Sequence, residues 1–201
     1  MQRLRELSRR VEAVYGEIAD TYASYQQARG LQCRSGCGAC CLHPAIEATV
    51  LDMLPLAMHL FDQGTAESTL AQLEAESPGP QCPMYQPLSF DGKQGQCRIY
   101  PWRPTLCRTF GAAGYRDKHG KTALSTCKTI KEDRSAAYAD TLIAMESDPP
   151  PMLSHARQLV DQLDYELSRS SLPIAEAMQA ALRKVLFQAC YSDVDTEQQI
   201  A

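Results

Sequence analysis

Apolar residues near the start of the chain recur at intervals of three and four: Leu4, Leu7, Val11, Val14, Ile18, Tyr22 and Tyr25. That period predicts one long helix over 2–29 with a single narrow apolar stripe, stopped by Gly30. The stripe is heptad-like, so it offers either an internal packing face or the seam of a homodimer or of a complex with a partner helix. A second apolar run, "ATVLDMLPLAMHLF", predicts a helix that begins near Thr49 or Asp52, places Pro55 near its first turn and ends at Gly64. Leu70 and Leu73 mark a short helix over about 66–76.

The pattern then breaks down. Residues 77–100 are rich in Pro and Gly and leave room only for short strands and turns. Helical signals return at "PWRPTLC". The following "FGAAGYRDKHGKTALST" predicts a β-hairpin turning at Asp117 to Gly120. Three more helices are predicted at about 129–146, 152–169 and 173–190, separated by "DPPP" and "SSLP", with Ser171 capping the last. The polar tail after Tyr191 is expected to fray.

Length and charge narrow the picture. A chain of 201 residues fits one medium domain, and it is long enough to bury a core without covalent staples. A formal net charge of −4 gives no electrostatic reason to expect nucleic acid or an anionic membrane as partner. The N-terminus lacks the apolar core of a secretion signal, and the most apolar run is interrupted by Asp52 and Pro55, too short to span a bilayer. A cytoplasmic location is expected, where thiols stay reduced.

Nine cysteines change the reading. An odd number in a reducing compartment suits ligands better than disulfides. Eight fall between 33 and 127: Cys33, Cys37, Cys40, Cys41, Cys82, Cys97, Cys107 and Cys127. A zinc ion or an iron–sulfur cluster needs about four converging thiolates, and a spacing such as Cys37-x-x-Cys40 lets one turn supply two. Gly36 and Gly38 allow a tight loop around an ion. Adjacent Cys40 and Cys41 rarely both ligate one ion in good geometry, so either one of them stands beside the ligands or two centres lie side by side. His43 is a candidate substitute ligand, and His119 is expected in solvent. Arg103 and Arg108 bracket Cys107 and are expected to offset the excess negative charge of the thiolates and donate to sulfur. Arg34 and Lys128 read as surface cations. Cys190 falls on the apolar stripe of the last helix, eight residues after Leu182 and four after Leu186, and is expected to be a buried, inert thiol.

The expected architecture is therefore a mainly α fold: a helical domain around a Cys-rich metal-binding loop region with a small β-hairpin. Its divisions are an N-terminal helix (1–30), the cysteine region (31–128), C-terminal helices packed on it (129–191) and a polar tail (192–201).

The segments "CRSGCGACC", "CPMY" and "GQCRIYPWRPTLCR" together resemble the CxxCxxCC cysteine-cluster family of zinc- or iron-chelating proteins, of the YkgJ type. The resemblance covers about 33–127, with the motifs in the family's order. In the last run it is carried by Cys97, Ile99, Tyr100, Arg103, Pro104, Cys107 and Arg108. It departs at Cys33-x-x-x-Cys37, one residue longer than the family pattern, and at Gly111, where many members have proline. Members are often named iron–sulfur oxidoreductases, and a similar segment occurs in flagellin lysine methylases. The resemblance implies a bound iron–sulfur cluster, with 4Fe-4S favoured, or zinc, in a structural or electron-transfer role. Two alternatives remain: a zinc-stabilised adaptor that binds another protein through its helices, and a component of an oxidoreductase or protein-modifying system. The sequence contains no GxGxxG, Walker loop or HExxH to mark an enzyme.

Overall fold

The computed structural model describes residues 1–43, 46–75, 81–90 and 94–198, with side chains described as far as Tyr191. The Pro- and Gly-rich stretches at 76–80 and 91–93, and the end of the tail, lie outside the described residues. The fold is mainly α. In chain order it comprises α1 (Gln2–Ala28), β1 (Glu47–Ala48), α2 (Val50–Asp62), α3 (Ala66–Ala75), β2 (Tyr85–Pro87), β3 (Gly95–Cys97), α4 (Thr105–Thr109), β4 (Gly114–Arg116), β5 (Thr122–Leu124), α5 (Lys128–Asp133), α6 (Ser135–Ala144), α7 (Leu153–Asp161), α8 (Tyr165–Ser168), β6 (Leu172–Pro173) and α9 (Ile174–Gln198). The strands form three antiparallel pairs, β1–β6, β2–β3 and β4–β5.

The core is built on α1, α2 and α9. From α1 it takes Leu4, Leu7, Val11, Tyr15, Ile18 and Tyr22, all buried. The predicted stripe is thus consumed inside the chain, with Val14 and Tyr25 at its margins. A homodimer or partner helix would have to dock elsewhere on the surface. Helix α2 contributes Leu51, Met53, Leu54, Leu56, Ala57 and Met58, and α9 contributes Ala177, Met178, Ala181, Leu182 and Val185. β1 precedes α2 and β6 precedes α9. Their pairing (Glu47 opposite Pro173, Ala48 opposite Leu172) fixes the relative start of the two helices.

Several boundaries differ from the sequence expectation. α2 begins at Val50, so Pro55 sits in the second turn, where the helix runs on without one backbone donor. The stretch predicted as one helix at 129–146 is two, because Arg134 leaves helical geometry (φ −127°, ψ 38°). The 152–169 stretch is also two, because Asp164 starts a new helix by accepting from the Leu167 amide at 3.1 Å. Ser171 does not cap α9; its hydroxyl donates to Glu47 at 3.0 Å. α9 continues past the predicted end at 190 to Gln198.

Cys190 is exposed, not buried. The buried stripe of α9 ends at Val185, and Phe187 and Tyr191 on the following turns are 61% and 58% exposed. By position 190 the helix has run beyond the core.

Candidate metal centre

Five segments deliver the eight thiols, the last of them the start of α5 with Cys127. The loop after α1 carries Cys33 and Cys37, turns through Gly36 at φ +72°, and enters a short 3-10 turn at Ala39–Leu42 that carries Cys40 and Cys41. The segment before β2 brings Cys82, and its amide donates to the Cys41 carbonyl at 2.8 Å. Cys97 ends β3, which pairs with β2 so that Tyr85 faces Cys97. The Gly95 amide donates to the Gly36 carbonyl at 3.0 Å and so ties this pair to the cysteine loop. Cys107 lies in α4, its amide donating to the Pro104 carbonyl at 3.0 Å.

Gly38 and Gly95 make the close approach of these segments achievable. A Cβ on either would collide with the Tyr85 ring. Gly38 has no positive φ, so its role is space and not backbone freedom. Gly111, the departure from the family pattern, has φ +95°, and a Cβ there would come within 2.6 Å of the Gln26 amide nitrogen. The chain leaves α4 through a left-handed residue, a conformation closed to proline.

The thiols fall into two neighbourhoods. Cys40, Cys41, Cys82, Cys97 and Cys107 act on one another. Cys41 hydrogen-bonds to both Cys40 and Cys97, which drives the Cys41 thiol far up and lowers its partners. Cys40 is brought down to about 6, by the Cys41 hydrogen bond first and by the charge of Arg103 after it. Cys97 is lowered to about 7, again chiefly by Cys41. Burial raises Cys82 to about 11 and Cys107 to about 12. In the second neighbourhood the Cys33 thiol is pushed up by desolvation, by its hydrogen-bonded neighbour Cys37 and by Cys127, although its residue is exposed overall. Cys127 heads α5, its sulfur accepting from the Ile130 amide at 3.4 Å. This corner is held by Leu31, buried with Leu124 and Ile130. All nine cysteines are free. Among the described residues no group of three or more His, Cys, Asp or Glu side chains is placed to hold a metal ion. The arrangement is a convergence of soft donors, two of them already shifted toward the thiolate, and it suits a soft ion that would draw them together.

The arginines separate in function. Arg103 stacks on the Tyr100 ring at 3.5 Å, and its charge favours the thiolates of Cys40, Cys97 and Cys107. Arg108 donates to the carbonyls of Arg103 (2.7 Å) and Pro101, and lies 4.2 Å over the Tyr15 ring. Its hydrogen bonds brace the turn between Cys97 and Cys107. Arg34 pairs with Asp133 at 3.5 Å and Lys128 with Glu132 at 3.6 Å, both at the surface. His43 and His119 are exposed.

One residue was not foreseen as part of the site. Asp52 is buried in the apolar run of α2, and both carboxylate oxygens are occupied. Oδ1 accepts from the Tyr15 hydroxyl (2.9 Å), the Thr105 amide (3.0 Å) and the Thr105 hydroxyl (2.6 Å). Oδ2 accepts from the amide and hydroxyl of Thr49, each at 3.1 Å. The available signal was a charged residue within the most apolar stretch of the chain.

The cysteine region coincides with a recognised domain. Residues 32–132 match the family model CxxCxxCC, described as a "putative zinc- or iron-chelating domain". The chain belongs to that family. Comparison with curated proteins and with solved structures found no match. Among the described residues, no helix is long and apolar enough to cross a membrane.

Proposed function

We propose that residues 31–128 hold an iron–sulfur cluster, 4Fe-4S in preference, or a zinc ion, in a structural or electron-transfer role in the cytoplasm. The observation that carries this reading is the mutual interaction of Cys40, Cys41, Cys82, Cys97 and Cys107, which arrive from separate stretches of chain. Cys40, Cys82, Cys97 and Cys107 are the ligands. Cys41, the thiol held most strongly in its protonated form, stays beside them and donates its S–H toward sulfur. Arg103 offsets the excess negative charge, and Arg108 holds the turn that places Cys107. Cys33, Cys37 and Cys127 form an outer trio next to Cys40. Four thiolates suit a zinc ion and a 4Fe-4S cluster alike, so the preference for the cluster rests on the family resemblance.

Anaerobic purification with metal and sulfide analysis tests the reading. A brown protein absorbing near about 400 nm, with iron and acid-labile sulfide, is the expected result. A colourless protein with stoichiometric zinc would assign a closed structural site instead. A protein with neither, after reconstitution with each, would remove the reading.

A further inference from the structure

The structure assigns Asp52 as the positioning residue for Cys107, a step that rests on the metal-centre reading above. α4 is short and begins after Pro104, which offers no side chain to cap it. The amide of its first residue, the buried Thr105, has no partner within the helix and is capped from another helix by Asp52, whose Oδ1 takes both the Thr105 amide and its hydroxyl. Cys107 lies two residues further on, within that first turn. Two hydrogen bonds from the first residue of the turn to one carboxylate fix the turn against α2, and with it the place of the sulfur.

The anchor is rigid because Asp52 is itself held. It closes a capping box with Thr49 at the start of α2, where the Thr49 hydroxyl accepts from the Asp52 amide at 3.0 Å. The Tyr15 hydroxyl, from α1, donates to the Asp52 carboxylate and lies 2.8 Å from its carbonyl oxygen. Tyr15 in turn lies under the Arg108 guanidinium. The two residues that follow Thr105 by two and three positions, Cys107 and Arg108, are thus both referred to one buried carboxylate. Its donors come from three separate parts of the chain, and five hydrogen bonds saturate the lone pairs of one carboxylate. An amide in its place would turn N–H groups toward backbone N–H donors that cannot rotate away.

The test is a double-mutant cycle on the full chain with cobalt(II) as probe. Its thiolate charge-transfer absorption reports the thiolates on the ion, and chelator competition reports affinity. Wild type, Asp52→Asn, Cys107→Ser and the double variant are compared under anaerobic conditions. Asp52→Asn is expected to keep the wild-type helical circular dichroism. It should lose about 10–100-fold in affinity and fall to the charge-transfer intensity of Cys107→Ser. The double variant should bind no more weakly than Cys107→Ser alone, because residues acting through one contact are not additive. Losses that add, wild-type absorption in Asp52→Asn, or an unaffected Cys107→Ser each overturn the proposal. If Asp52→Asn does not fold, Thr105→Val enters the same cycle. It removes one donor and leaves the carboxylate, and a loss that adds to that of Cys107→Ser again overturns it. Wild type that takes up neither cobalt nor reconstituted iron and sulfide removes the metal-centre reading and this inference together. Wild type that binds while Asp52→Asn binds equally well removes this inference alone.

Discussion

Arg103 and Arg108 bracket the same cysteine and do different work. Arg103 places its charge near three thiols and makes one exposed hydrogen bond, from its Nε–H to the Tyr100 carbonyl at 3.1 Å, whereas Arg108 spends two on backbone carbonyls. Arg103→Ala should therefore speed metal loss to a chelator with little change in thermal stability. Arg108→Ala should lower stability by about 1–3 kcal/mol, as expected when half-buried charged hydrogen bonds are lost, with metal loss following from the looser turn. Thermal melts and chelator challenge at one pH and salt concentration separate the two, and identical behaviour of both variants would refute the division. Cys190 gives the matching control. Since it is exposed, Cys190→Ala should leave metal content unchanged and stability within about 0.5 kcal/mol. The sequence marked the eight clustered thiols and both arginines because local spacing and composition announce them. It could not sort the arginines, since the direction of a guanidinium depends on Tyr15, which is far away in sequence. Asp52 was hidden for the same reason: its partners Tyr15 and Thr105 come from different helices.

At the scale of elements, periodicity located the long helices and the β4–β5 hairpin but missed the breaks. Leu159, Leu163 and Leu167 keep one stripe across the interruption before α8, so the apolar pattern continues while the backbone does not. The end of the α9 stripe was misread because a sequence period does not reveal where the core stops. The approach of the cysteine loop to β2–β3 was also illegible, since it depends on the Tyr85 ring fitting against two glycines. Gly38→Ala should push that ring and displace the 3-10 turn of Cys40 and Cys41, lowering both melting temperature and metal retention. Gly16→Ala is the contrast. It lies exposed inside α1 with nothing within 4 Å of an added Cβ, and should stabilise the protein by about 0.5–1 kcal/mol. Equal melting temperatures for the two variants would show that Gly38 is not a packing glycine.

For the whole molecule, the thiol equilibria and the assembly of the region are one process. The segments bearing Cys82, Cys97 and Cys107 meet the loop of Cys40 through few backbone contacts, while α1, α2 and α9 share the main core. Removing the metal should therefore leave most helical circular dichroism and raise hydrogen exchange in the cysteine region. The pH dependence follows from the directions of the shifts. Cys82 (about 11) and Cys107 (about 12) lie above the unfolded thiol value, so in the metal-free chain their contribution is complete below about pH 8.5 and is lost as pH rises through their folded values. Cys40 (about 6) and Cys97 (about 7) lie below it, so their contribution is present above about pH 8.5 and is lost as pH falls through 7 and then 6. The metal-free protein should thus be most stable near the unfolded thiol value and weaken on either side. Metal binding at the proposed site has a different dependence, because its four proposed ligands must be thiolates. Between pH 7.5 and 9.5 Cys40 and Cys97 have already lost their protons, and Cys82 and Cys107 must release theirs to the ion. Zinc affinity should then rise by about 100-fold per pH unit in that range, and more steeply below pH 6, where all four carry protons. Competition against a chelator of known proton affinity, at fixed ionic strength, measures the slope. A flat profile above pH 7 would mean that Cys82 and Cys107 are not ligands, and the four-cysteine assignment would fail there.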